Sequence, residues 1–164
     1  QRVNSYLSNN YCNLIQRIAS FIIKNTNAEV SKPKKIEEKD EKLLQQFNLI
    51  FKNYLKNLES FQIDKALKNI FDYLSEVNAY VDEQAPWSLK KTDTIRMQDV
   101  LYVITLITIK CSVLLQPIIP SSIAKVLNIY NLSLKELDLI NINNFNPDTI
   151  KLNTPKPIFP RIEK

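Results

Sequence analysis

A chain of 164 residues without a single glycine has few ways to turn tightly. Glycine takes backbone angles with φ > 0 at no steric cost, so its absence removes the usual residue for tight two-residue hairpins and favours helices. It also removes the Gly-rich phosphate loop and the dinucleotide fingerprint. Histidine is missing as well. Ser-His and Cys-His nucleophile systems, HExxH metal sites and imidazole acid–base groups are therefore excluded. No catalytic residue and no metal site is expected in this chain.

Apolar residues make up 45% of the chain, enough to bury the core of one ordinary domain. They recur at helical steps. Leu7, Tyr11, Leu14, Ile15, Ile18 and Ile22 line one face of a helix from about residue 4 to 24, with Asn25 and Asn27 as candidate left-handed caps. Residues 28–42 are polar, contain Pro33 and read as a loop. A second stripe runs from Leu43 to Leu58 and a third from Ala66 to Val81, and the short break between them predicts antiparallel neighbours. Pro86 interrupts the pattern. Thr92 or Asp93 can cap a fourth helix that ends at Pro117, and Ser121 or Ser122 can open a shorter fifth. The expected fold is all-α, a bundle of about five helices followed by an extended Pro-rich C-terminal tail.

The stretch VLYVITLITIKCSVLLQPII is apolar enough to suggest a membrane span. Lys110 lies in its middle, where it would cost about 2.5–3.5 kcal/mol, and Thr105, Thr108, Gln116 and Pro117 weaken the span further. A helix at the centre of the bundle is the expected reading. Cys12 and Cys111 are far apart in sequence and lie in apolar stretches, as reduced core thiols of a cytoplasmic protein do. The net charge of +5 permits an anionic partner without requiring one. The chain begins at Gln1, not Met, and reads as a piece of a longer protein.

Two clusters of side chains suit nucleobases. Tyr6, Asn10, Asn13 and Arg17 fall on one line of the first helix, so an amide and a planar guanidinium lie one turn apart. Solvated boundary residues have the same spacing. Trp87, the only tryptophan, follows Pro86 at a break between helices, with Lys90, Lys91 and Arg96 soon after. A rigidly held indole beside cations suits stacking on an unpaired base, but a tryptophan can equally plug the end of a core. Asp82, Glu83 and Asp93 partly cancel the local positive charge.

The string NAYVDEQAPWSLKKTD, residues 78–93, resembles the anticodon-binding helical domain of methionyl-tRNA synthetases, with their N-x-Y-V-D-E-x-x-P-W element. NSYLSNNYCNLIQRIASF is similar to that family's first helix, N-x-x-L-x-N-x-x-G-N-L-x-x-R. The segment MQDVLYVITLITIKCSVLLQPIIPSSIAKVLN resembles its counterpart with L-x-P-x-x-P, and PKPIFPRIE resembles the closing P-x-P-L-F-P-R-I-E. The likeness spans residues 1–164 as one anticodon-binding domain and is weakest over 25–60.

The resemblance implies that Asn13 and Arg17 contact anticodon bases, that Trp87 stacks one, and that Pro86 fixes the backbone of Trp87. Asp82 and Asn10 are expected to support them from behind, Asp82 by orienting Arg17 or a nearby lysine. It further implies the CAU anticodon loop of tRNA(Met) as partner, together with the parent's own catalytic domain, and neither DNA nor membrane. The parent would be an ATP-dependent methionine–tRNA ligase. ATP, with Mg, would be handled by HIGH-like and KMSKS-like motifs on a Rossmann-type domain, and a chain lacking His and Gly cannot contain the first. Departures from the pattern are Cys12 and Asn128, where glycine is usual, and Tyr6, where an acid is usual. A sister class I anticodon domain and a helical protein-interaction scaffold are the alternatives.

Overall fold

The computed structural model describes residues 10–154. Helix α1 (Asn13–Asn25) follows a wider π-type turn over residues 10–12. A short strand β1 (Glu29–Ser31) leads to α2 (Glu38–Glu59) and α3 (Ile63–Gln84). Then come a seven-residue helix α4 (Pro86–Thr92), the long α5 (Thr94–Leu115), α6 (Pro120–Ile129), a single 3-10 turn (Ile142–Asn144) and strand β2 (Thr149–Lys151). The architecture is the expected all-α bundle, with five helices of ten residues or more among the described residues. Residues 4–9, including Tyr6 and Leu7, and the closing PKPIFPRIE lie outside the described residues.

Helix α5 is the hub. It packs on α1, α2, α3, α4 and α6 and on β1, and every residue from Val100 to Leu115 is buried. Its length and hydropathy of 1.6 pass a membrane test, yet 83% of its apolar window is covered by the protein itself. Its buried polar side chains find partners inside the protein, except the Thr105 hydroxyl, which has none among the described residues. The Lys110 ammonium donates to the Asn143 carbonyl (3.0 Å) and lies 5.1 Å from the Phe47 ring centroid, and burial lowers its pKa. The Ser112 hydroxyl donates to the Thr108 carbonyl (2.6 Å) and pairs with the Tyr11 hydroxyl of the π-type turn (2.5 Å).

The missing glycines are replaced at a cost. Among the described residues, five adopt φ > 0: Asn27 (55°), Ala28 (59°), Phe61 (57°), Ala85 (43°) and Asn131 (53°). A non-glycine residue in this region costs about 1–2 kcal/mol, less for Asn, which bonds locally. Asn27 thus takes the expected left-handed role just after α1. Asn25 instead stays helical and donates its amide to the Phe21 carbonyl (2.7 Å). Phe61 turns the α2–α3 hairpin while remaining 91% exposed.

The loop expected over 28–42 is overturned at both ends. β1 pairs antiparallel with β2 in the register Glu29↔Lys151, Val30↔Ile150, Ser31↔Thr149, which buries Val30 and Ile150 together. A three-residue strand has too few alternating positions to stand out in a polar segment, and its partner lies more than a hundred residues away. At the other end α2 begins at Glu38, because the Asp40 carboxylate accepts from the Glu37 N–H (3.4 Å) and caps the first turn. The fifth long helix opens with Pro120 as its first residue, ahead of the expected serines, since a proline loses no hydrogen bond there.

Candidate nucleic-acid interface

The end of α3 and the start of α4 are one continuous device. The Ala85 N–H closes α3 on the Val81 carbonyl (2.9 Å), and the Ala85 carbonyl accepts from Ser88 (2.8 Å) and Leu89 (3.1 Å) to open α4. Between them Ala85 is left-handed and Pro86 is the first, buried residue of α4. Proline suits this position because its φ is already helical and its missing N–H would be unpaired anyway. The sharp corner projects Trp87 outward, 40% exposed, so it does not serve as a buried plug of the core.

Arg17 meets that indole. Its guanidinium carbon sits 5.5 Å from the Trp87 ring centroid, and its Nη1 donates to Asp82 Oδ1 at 3.5 Å. Arg17 and Asp82 keep 45% and 66% of their side-chain surface in solvent, so the pair adds at most about 1 kcal/mol to stability and a cation–π contact here about 0.5–1 kcal/mol. What it does is fix a direction. The guanidinium is held over the indole ring, and its Nη1 contact to Asp82 is its one hydrogen bond among the described residues. Asn13, one turn earlier on α1, is exposed on the same side of that helix, and Asn10 is half-buried in the turn before it. Asn13, Arg17, Asp82, Pro86 and Trp87 therefore come from α1, α3 and α4, with direct contacts among Arg17, Asp82 and Trp87.

The charges around the indole differ from the sequence expectation. Arg96 is not a free cation beside Trp87: it is 8% exposed and turned into the bundle. Its Nη1 and Nη2 donate to the two oxygens of Asp40 (2.5 and 2.8 Å), and Nη2 also donates to Gln84 Oε1 (2.6 Å). The Tyr80 hydroxyl donates to the same carboxylate (2.5 Å), and Glu37 lies 3.4 Å from Arg96. Burial pushes the Asp40 carboxyl up, but hydrogen bonds from Arg96 and Tyr80 outweigh it and hold the group below its usual range. The sequence signal was faint, since Asp40 stands in a run of charges, EEKDEK, where every acid looks solvated. The acids near Trp87 are also engaged: Asp82 by Arg17, Glu83 by Lys39, and Asp93 by the Arg96 N–H (2.9 Å) as the cap of α5. Lys90 and Lys91 remain at the surface.

A family profile described as the anticodon binding domain of methionyl tRNA ligase matches residues 30–164. The chain belongs to this family. Among its relatives, the methionine–tRNA ligase of Brucella suis is 33% identical over 98% of this chain and 31% of its own length. That of Mesorhizobium japonicum is 35% identical over 98% and 31%. A structure of Mycobacterium tuberculosis methionyl-tRNA synthetase in complex with methionyl-adenylate superposes with a TM-score of 0.91 at 26% identity, over 98% of this chain and 32% of that one. The chain spans under a third of each of these relatives. It is their anticodon-binding part.

Seen as a methionyl-tRNA ligase anticodon-binding domain, the NAYVDEQAPW string divides its residues between two faces. Tyr80 and Gln84 hold Arg96 in the interior, while Asp82 faces Arg17 at the surface. Two of the three departures can be placed. Cys12 is buried at the end of the π-type turn, and burial pushes its thiol up to about 12; Cys111 is buried too, and both are free thiols. Asn128 lies inside α6, not after it, and the left-handed residue of that turn is Asn131. Among the described residues no group of three or more His, Cys, Asp or Glu could hold a metal ion.

Proposed function

We propose that the domain spans residues 1–164 and recognises the CAU anticodon of tRNA(Met). Trp87 stacks a splayed base, and Asn13 and Arg17 hydrogen-bond to base edges. Pro86 sets the backbone of the indole, Asp82 orients the guanidinium, and Asn10 supports the turn that carries Asn13. The observation that carries this reading is the guanidinium 5.5 Å from a 40% exposed indole, tethered by a surface carboxylate. A guanidinium over one face of an exposed indole leaves the other face for stacking and a fork for bidentate bonding, which an unpaired base can use together. Base contacts choose the sequence, and the +5 charge adds general attraction to phosphates.

The parent is a bacterial-type methionine–tRNA ligase working in the cytoplasm, and this domain docks on its catalytic domain to deliver tRNA. ATP and Mg serve that catalytic domain. The residues here do not fit a nucleoside triphosphate site, because a chain without glycine has no loop whose backbone can wrap phosphates. Neither DNA nor membrane is a partner.

Anticodon stem-loops titrated against the complete ligase test this reading. A CAU loop is expected to bind, and a loop with a changed anticodon to bind far more weakly. Binding indifferent to the loop sequence would instead assign the surface to a protein-interaction scaffold. Preference for another amino acid's anticodon would assign it to a sister class I synthetase.

A further inference from the structure

Beyond the anticodon surface, α1 ends beside a second concavity. A cavity of about 640 Å³ lies between the end of α1, the β1–α2 loop and the first turn of α5. One rim carries Lys32, Lys34 and Lys35, all exposed, on a loop pinned by the buried Pro33. None of these lysines has an ion-pair partner among the described residues. The opposite wall carries Gln98 and the half-buried Asp99. Asp99 likewise has no hydrogen-bond or ion-pair partner among the described residues, and burial raises its carboxyl above the usual range. Glu29 also lines the cavity, on β1. Three lysines outnumber the two carboxylates, and none of the five is ion-paired among the described residues, so they are groups left available to a ligand that is anionic at one end and hydrogen-bond-donating at the other.

Position narrows the choice. The Trp87 site is built from α1 and the α3–α4 corner, and the cavity from the end of α1 and the first turns of α5; the seven-residue α4 and Asp93 are all that separates the two in the chain. Arg17 and Asn25, one at each site, are eight residues apart on α1, about 12 Å. Lys24, seven residues beyond Arg17, lies nearly in line with it and is exposed. A single strand leaving the indole along α1 reaches the cavity within a few nucleotides.

The geometry points to a second nucleotide subsite for the same RNA strand, in which Lys32, Lys34 and Lys35 hold backbone phosphate while Asp99 and Gln98 meet the edge of a base flanking the anticodon. This subsite rests on the proposed anticodon function. A carboxylate accepts from the exocyclic amine of cytosine or guanine, so those bases suit Asp99.

The test uses the complete ligase and a CAU stem-loop, with affinity measured across a salt series. Lys32→Ala/Lys34→Ala/Lys35→Ala is expected to flatten the slope of log affinity against log salt by about 2, since each phosphate contact on a single strand contributes about 0.7. Asp99→Asn is expected to shift base preference at one loop position outside the anticodon triplet, read from a panel of loops changed one position at a time. A wild-type enzyme blind to the anticodon would remove the parent reading. A wild-type enzyme that discriminates, combined with an unchanged slope in the lysine variant or an unchanged base preference in the Asp99 variant, overturns the subsite alone. Displacement of RNA by inorganic phosphate beyond the effect of chloride at equal ionic strength, lost in the lysine variant, would assign the lysines to a free anion and overturn it as well.

Discussion

Two arginine–aspartate pairs lean on the same two turns of α3, and burial gives them opposite roles. Arg96 and Asp40 are 8% and 0% exposed, joined by two hydrogen bonds and closed off by Tyr80 and Gln84. Arg17 and Asp82 share one 3.5 Å contact at the surface. Tyr80 and Gln84 are a helical turn apart, and Asp82 lies halfway between them on the opposite side of the helix. The first pair clamps α2, α3 and α5 and is turned away from solvent. The second is a single exposed contact, which in the proposed function exchanges for those of a base. The same chemistry locks a fold where water is excluded and leaves a guanidinium accessible where it is not.

The largest effect should come from breaking the inner pair. Asp40→Ala leaves a buried guanidinium without its partner and is expected to destabilise the protein by about 3–5 kcal/mol, read from the urea midpoint. The pair also sets an acid limit. Because the folded Asp40 carboxyl lies below its unfolded value, its contribution is present above the unfolded pKa, near 3.9, and is lost as pH falls through the folded one. Asp40→Asn should therefore shrink the loss of stability below pH 4. An unaltered acid transition would show that the clamp does not govern it.

Next in size is the outer site. Trp87→Ala is expected to weaken binding of a CAU stem-loop by about 1–3 kcal/mol while leaving thermal unfolding nearly in place. Loss of the fold together with binding would make Trp87 a core residue and erase the contrast between the two regions. Between the regions stands Ala85, whose left-handed backbone serves both. Ala85→Gly should raise stability by about 1 kcal/mol, seen as a higher melting temperature, by relieving its steric cost. The smallest shift in stability belongs to Asp82→Asn, below about 0.5 kcal/mol because the pair is exposed, yet discrimination between CAU and an altered anticodon should fall. If that variant unfolded readily, the outer pair would be structural after all.

The long apolar stripes made α2, α3, α5 and α6 visible in the sequence, because burying one face of a helix leaves a repeat every three or four residues. The Pro86–Trp87 break and the cap at Asp93 were visible for local reasons, as was a left-handed Asn27 in a chain with no glycine. The role of Arg96 was not. Its spacing from Trp87 placed it among surface cations, whereas the rotation of α5 about its own axis turned it inward to Asp40. The β1–β2 pair and the lysine-rimmed cavity were equally hidden, since each joins segments that are polar and remote.

Composition and periodicity settle what each segment can be by itself, and here they determined a helical bundle with no histidine chemistry and no glycine loop. Which arginine is buried and which stays at the surface was decided only by packing. Desolvation depends on every neighbour a side chain acquires in space, and no local run of residues encodes that sum.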